Sequence, residues 1–305
     1  MNEEKMDEEI DDEQMKVEAL NKLIKAGKIA QEVQRTINIK PGDKIADIAD
    51  RGEGKIKELG AEPAFPNNIS QNEIAAHDTA MVNDDRIIGD KDVVKFDMGV
   101  HIDGLIVDGG ITFDFSGEWG KMLEASQMAL DNAVSKVKAG VTTDMIGKEI
   151  EETVKKYGFK PIENLSGHWL LPYIVHAGRS IPNYWTRTGD KLEEDDVIAI
   201  EPFVTNGAGH VVEMARSEIF MITDEMPTRN NGARKLFSKI FEERKTLPFA
   251  ERWYVKTAED KIALRELIKN GSLTSYPVLK EKANGIVAQF EHTLIVEKTG
   301  AKILF

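Results

Sequence analysis

The chain of 305 residues contains no cysteine. This absence removes disulfides, thiolate zinc sites and a thiol nucleophile together, and it suits a reducing compartment. Basic residues are fewer than acidic ones, 40 against 53, for a formal net charge of −13. A general binder of nucleic acid or anionic membrane is therefore excluded, because such proteins concentrate Lys and Arg against phosphate. Long apolar runs are missing too: none approaches the ~18 residues of a membrane span. The start, MNEEKMDEEIDDE, is acidic where a signal peptide is basic and then apolar. A cytoplasmic globular protein is expected. Its hydrophobic content of 41% is ample for a core, and chains of this size bury roughly three-quarters of their unfolded surface.

Residues 1–13 hold eight acidic side chains and one lysine, and read as a frayed, solvated terminus. From Gln14 to Thr36 apolar residues recur at helical spacing (Val17, Leu20, Ile24, Ile29, Val33). A second helix follows Pro41-Gly42 and ends at Gly60, weakened by Gly52 and Gly54. PAFPNNIS reads as a loop, and NEIAAH leads to His77. Residues 92–115 have strand character around a turn at Asp103-Gly104. Helices are expected over 118–138 and 143–157, with Gly140 and Gly158 after them. Further strands fall near 173–177, 196–204 and 211–222, and within NGIVAQFEHTLIVEK. Residues 228–272 are charged and helical in pattern and read as an insertion, dividing the remainder into 14–227 and 273–305.

The segment 40–63 aligns with 138–161 at a constant offset of 98, matching Gly42/Gly140, Ile48/Ile146, Gly60/Gly158 and Pro63/Pro161. His77 then falls within one residue of His176, and DVVKFD resembles DVIAIE, matching Asp97 to Glu201. The repeat is too long for a solenoid and implies a duplicated α+β unit. Chance likeness between two Gly-bounded helix–loop–strand units is the alternative.

Asp97 and Asp108 flank the Asp103-Gly104 turn. A two-residue hairpin places Asp97 opposite Gly110, with Asp108 diagonal to it on the same face. Carboxylates in so apolar a hairpin repel each other and are costly to desolvate, so a cation is needed between them. Lysine is the plain candidate. Glu201 in VIAIEPFV and Glu291 in IVAQFEHTLIV repeat the context, and His168 in NLSGH adds a nitrogen donor. Asp, Asp, His, Glu and Glu together suit a pair of divalent ions.

The motifs NEIAAH, KFDMGVHIDG with Asp108, NLSGH, HAG, IEPF and QFEHT resemble those of type II methionine aminopeptidases of the pita-bread fold, archaeal in kind. The resemblance covers nearly all of the chain after its acidic start. It implies a pseudosymmetric α+β fold, with 228–272 as the helical subdomain. It implies two divalent metal ions (cobalt, manganese, iron, zinc or nickel): Asp97 on one, Asp108 and Glu291 shared, His168 and Glu201 on the other. A water or hydroxide between the ions would attack the carbonyl of the N-terminal methionine, with Glu201 as proton shuttle. His77 and His176 would position the scissile group and stabilise the tetrahedral intermediate. Phe65, Phe203 and Tyr276 would wall the methionine pocket. The implied substrates are N-termini of nascent polypeptides with a small second residue, with the ribosome as a further partner of a monomeric enzyme that binds neither nucleic acid nor membrane. His101, His210 and His292 are expected to be structural.

One position departs from the family: a threonine usually follows the second aspartate, and here Gly109 does. Loss of such a supporting hydroxyl costs roughly 10–100-fold in metal affinity or activity. The rivals are a prolidase or X-Pro aminopeptidase of the same fold, and a non-catalytic binding protein built on it. The first carries an N-terminal domain for which the chain before His77 has no room, and the second typically loses metal ligands that are all present here.

Overall fold

The computed structural model describes residues 3–305, with side chains from Glu13 onward. Helix α1 (Glu3–Thr36) starts earlier than the Gln14 expected.

The first half continues with α2 (Ile45–Glu58), β1 (Glu62–Pro63), β2 (Asn68–Gln71), β3 (Ile74–Ala76) and the long hairpin β4 (Val93–Ile102) and β5 (Leu105–Asp114). The second runs through α3 (Gly120–Val134), α4 (Thr143–Lys156), β6 (Lys160–Pro161), β7 (Ser166–Trp169), β8 (Ser180–Pro182), β9 (Val197–Ile200), β10 (Phe203–Thr205), β11 (Val211–Glu213) and β12 (Ile219–Ile222). Then come α5 (Asn231–Arg244), β13 (Phe249–Ala250), α6 (Glu251–Tyr254), α7 (Ala258–Lys269) and β14 (Leu273–Tyr276). The chain closes with β15 (Leu279–Glu281), β16 (Val287–Gln289), β17 (His292–Val296) and β18 (Ala301–Ile303). No helix among the described residues is long and apolar enough to cross a membrane.

The repeat read from the sequence is a repeat of structure. α2 and α4, then β1 and β6, begin and end 98 residues apart. In each half two helices cover one face of antiparallel sheet. The cluster under α1 and α2 contains Val33, Ile48, Ile56, Phe96 and Val107, and that under α3 and α4 contains Leu130, Ile146, Ile150, Ile198 and Leu294. Ile146, Ile150 and Val154 recur every fourth residue along α4, so a single stripe is buried. Gly52 does not break α2: a Cβ there would lie 2.2 Å from Asn67 Nδ2, so its absence lets the helix approach the sheet closely. Helices α5–α7 enclose a cluster of their own with Leu236, Ile240, Phe249 and Leu264.

β4 pairs with β5 along one edge and with β1 and β2, end to end, along the other. β17 lies between β18 and β9, β9 pairs with β7, and β7 pairs with β8. The halves meet where β5 lies against β17: Glu291 N donates to Gly110 O at 3.0 Å, and Asp108 N to Thr293 Oγ1 at 2.7 Å.

Two local expectations are corrected. Asn68–Ser70, read as loop, belong to β2, because the pairing of Asn68 with Asp97 and Ile69 with Phe96 overrides asparagine's turn preference. Residues 173–177, read as strand, form a loop: Tyr173 follows Pro172 and is left-handed at φ +63°, incompatible with a ladder. The neighbouring strands are β7 and β8.

Candidate metal centre

The hairpin has the expected register, with Asp97 opposite Gly110 and Gly99 opposite Asp108. Alternation therefore puts both carboxylates on one face. Glu201 and Glu291 occupy equivalent gaps, between β9 and β10 and between β16 and β17. Pro202 after Glu201 has no N–H for a ladder, which explains the first gap. His168 is the third residue of β7, paired across to Ala199. The middle of the β4–β5 hairpin and strand ends of the other half thus bring their polar side chains into one space.

That space is a cavity of about 310 Å³, and all ten sequence-nominated residues line it: Asp97, Asp108, His168, Glu201, Glu291, His77, His176, Phe65, Phe203 and Tyr276. Ligand atoms of Asp108, His168 and Glu291 lie within 4.8 Å of one another. His168 Nε2 is 3.7 Å from Asp108 Oδ2 and 3.7 Å from Glu201 Oε1. The His168 Nδ1–H points to the Trp169 carbonyl at 3.4 Å, which leaves Nε2 as the free donor atom facing the acids.

Among the described residues no Lys or Arg lines this cavity. Lys95, buried two residues before Asp97, donates instead to the Asn72 carbonyl at 2.8 Å, so the lysine alternative does not hold. Burial pushes the Asp97 carboxyl up to about 7, against the Gln289 amide that favours its charge. Asp108 is raised by burial and then by Asp97. Glu201 and Glu291 are raised by burial and by the other carboxylates. The histidines supply no positive charge: burial and His176 lower His168 to about 3 and His77 to about 4, and burial lowers His176. Asp97 Oδ1 and Asp108 Oδ1 are buried without a hydrogen-bond partner. Four buried carboxylates, orphaned oxygens and a neutral imidazole fit divalent cations, which meet this cost by coordination.

His77 follows β3 in a left-handed backbone, φ +62°, a conformation that costs a side-chain-bearing residue about 1–3 kcal/mol. Its ring meets Tyr276 edge-on with centroids 5.4 Å apart, and His176 meets His168 similarly at 4.5 Å. Phe65, Phe203, Tyr276, Ile219 and Pro248 form the apolar part of the wall. The remaining histidines lie elsewhere: His101 Nδ1 accepts from Gly104 N, His210 is exposed near Glu163, and His292 donates to Phe305 O at 2.9 Å.

Several residues escaped the sequence reading. Gln289 Nε2 donates to Glu201 Oε2 at 3.3 Å and to Glu291 Oε2 at 3.2 Å. Its position at i−2 from Glu291, on the same face of a strand, was the available signal. Thr293 Oγ1 accepts from Asp108 N and donates to Asp108 O, each at 2.7 Å. A hydroxyl thus braces Asp108 from the opposite half of the molecule, not from position 109. A Cβ on Gly109 would lie 2.5 Å from Phe305 Cε1, so the Phe305 ring fills the space above that glycine. Asn68, Ile219 and Pro248 also line the cavity and carry no sequence signal of their own, whereas Asn164, Leu165 and Ser166 belong to the NLSGH motif.

A larger groove, about 1120 Å³, runs between α2 and the α5–α7 helices. Its acids and bases (Asp50, Glu53, Glu62 against Lys57, Lys239, Arg252) are intermixed, and no set of donors converges. The chemistry belongs to the smaller cavity.

Fold and site together define a duplicated sheet-and-helix protein built to hold divalent cations. Residues 21–298 match the model of metallopeptidase family M24. The chain is 49% identical over 288 residues to the methionine aminopeptidase of Archaeoglobus fulgidus, covering 94% of this chain and 98% of that protein. It is 48% identical to that of Thermococcus onnurineus, covering 92% and 97%. Among solved structures, a thermophilic Arx1 superposes with TM-score 0.82 at 19% identity, covering 94% of this chain and 91% of that one. Methionine aminopeptidase from Thermotoga maritima superposes with 0.69 at 23%, covering 94% and 96%; at such identities the likeness establishes the fold. The chain belongs to metallopeptidase family M24, with the pita-bread fold.

Proposed function

We propose that this protein is a metal-dependent aminopeptidase that removes the N-terminal methionine from newly made proteins with a small second residue. The observation that carries the reading is the cavity holding four carboxylates and three imidazoles, with no Lys or Arg among the described residues that line it. Two curated methionine aminopeptidases nearly half identical over almost the whole chain support it. Asp97, Asp108, His168, Glu201 and Glu291 would hold two divalent ions. When bound, the ions supply Lewis acidity at the scissile carbonyl and lower the pKa of water.

The chain's own residues do the rest. Phe65, Phe203 and Tyr276 enclose the methionine side chain and exclude water from it. His77 is neutral, and its Nδ1–H is committed to Pro277 O at 3.2 Å. Nε2 is therefore an acceptor, suited to hold the N–H of the scissile amide. His176, also neutral, faces the carbonyl side. Glu201 accepts the proton of the attacking water and returns it to the leaving amine nitrogen. At about 310 Å³ the cavity is at the small end of ligand sites, which suits one residue and a small neighbour. Residues 228–272 are an inserted helical subdomain that adds Pro248 to the wall. Substrates are N-termini emerging from ribosomes in the cytoplasm, and the enzyme is a monomer.

The test is product analysis with three peptides. With added manganese or cobalt the protein should release free methionine from Met-Ala-Ser, much less from Met-Leu-Ser, and nothing from Ala-Pro-Ser; a chelator should stop release. No methionine under any divalent metal contradicts the reading, and cleavage only before proline replaces it with a prolidase.

A further inference from the structure

His77 is held by more than its own hydrogen bond. Its ring donates to the Pro277 carbonyl, and its backbone is left-handed. The next residue, Asp78, is 2% exposed, and its carboxylate is gripped by two guanidinium groups. Arg86 Nη1 reaches both oxygens at 2.9 Å, and Arg216 Nη2 lies 3.0 Å from Oδ1. Arg216 is also fixed at its other end, where its carbonyl accepts from Val278 N at 3.0 Å. Val278 is the residue after Pro277.

Two links therefore run side by side between the same two segments. One joins His77 to Pro277 through the ring; the other joins Asp78 to Val278 through Arg216. His77 cannot leave its left-handed backbone without pulling the buried Asp78 carboxylate off charge-assisted bonds to two partly buried guanidinium groups, and such bonds are stronger than neutral hydrogen bonds. Arg86 stiffens the near side further by donating to Thr79 O at 2.9 Å and to both oxygens of Asp84.

We propose that Asp78 and Arg216 form a brace that fixes the His77 ring, with Nδ1–H on Pro277 and Nε2 toward the cavity, and that both are positioning residues for peptide cleavage. The kinetic consequence rests on the aminopeptidase reading, whereas the ring orientation does not. Neither residue lines the cavity, so neither touches substrate. Asp84 provides a control: it bonds Arg86 and caps Met81 N at 3.0 Å, without reaching Arg216.

The test is Arg216→Met in the full chain, which leaves Asp78 paired with Arg86. With the metal-loaded enzyme and Met-Ala-Ser, kcat should fall roughly 10- to 100-fold, as for a displaced catalytic group, with KM and bound metal unchanged. Arg216→Lys should recover part of the loss. In nitrogen-15 NMR of the metal-free protein, His77 should be a single Nδ1–H tautomer in the unaltered chain and a mixture in Arg216→Met. Asp84→Asn should lower Tm and leave both kcat and tautomer in place. Wild-type kcat together with an unchanged tautomer in Arg216→Met overturns the brace. So does an equal tautomer change in Asp84→Asn, which would make the network one of general stability. If the unaltered protein cleaves no methionyl peptide, the function reading falls and the NMR comparison alone decides the brace.

Discussion

Asp97 shows how the site sets a condition on the protein that contains it. Burial raises its carboxyl from 3.8 to about 7, so the folded chain keeps a proton that the unfolded chain releases. This group's contribution to stability is present in full below about pH 4 and is lost as pH rises through about 7. Asp97→Asn removes the buried charge and keeps the shape. The metal-free variant should therefore melt above metal-free wild type at about pH 8, with a smaller gap near pH 5. Saturating manganese should reverse the order, because the variant has lost a ligand atom. Calorimetry at the two pH values checks this, and a variant less stable than wild type at the higher pH, without metal, contradicts it. The sequence made Asp97 visible because a charge in an apolar alternating strand is conspicuous. Gln289, which steadies two of the carboxylates, gave only its i−2 spacing from Glu291, since an amide in a strand carries no charge that demands a partner.

At the scale of elements, the β4–β5 hairpin was the most legible part of the chain. Its turn residues set the register, and the register sets which side chains share a face. Legibility failed at 68–70 and 173–177, where the outcome depends on distant pairing or on one left-handed residue. The packing of Phe305 on Gly109 is likewise a contact between distant elements, beyond β18 and within β5. Gly109→Thr should cost about 1–3 kcal/mol by overpacking the ring, and Phe305→Ala about 3–5 kcal/mol by opening a cavity. The double variant should be more stable than the sum of the two losses implies, because the new side chain occupies the vacated space. Urea denaturation of the four proteins measures the coupling, and strict additivity would show that the two residues do not share that space.

At the scale of the molecule, the duplication makes the site possible. Each half is an α+β unit that brings acids to its sheet, mid-hairpin in the first and at strand ends in the second, and the cavity forms where β5 meets β17 beside β9. The formal charge of −13 divides along the same lines. Residues 1–13 carry seven units of it, and four more are Asp97, Asp108, Glu201 and Glu291. Two divalent cations would cancel those four, so the metal-loaded body is nearly neutral despite its acidic composition. The proposed hydrolysis requires those cations. Metal-free protein should be titrated with manganese, and bound metal counted per chain, for wild type and Glu291→Ala. Two ions per wild-type chain, removed by a chelator, and less than one in Glu291→Ala are the expected result; no bound ion in wild type, or both retained in the variant, would contradict it.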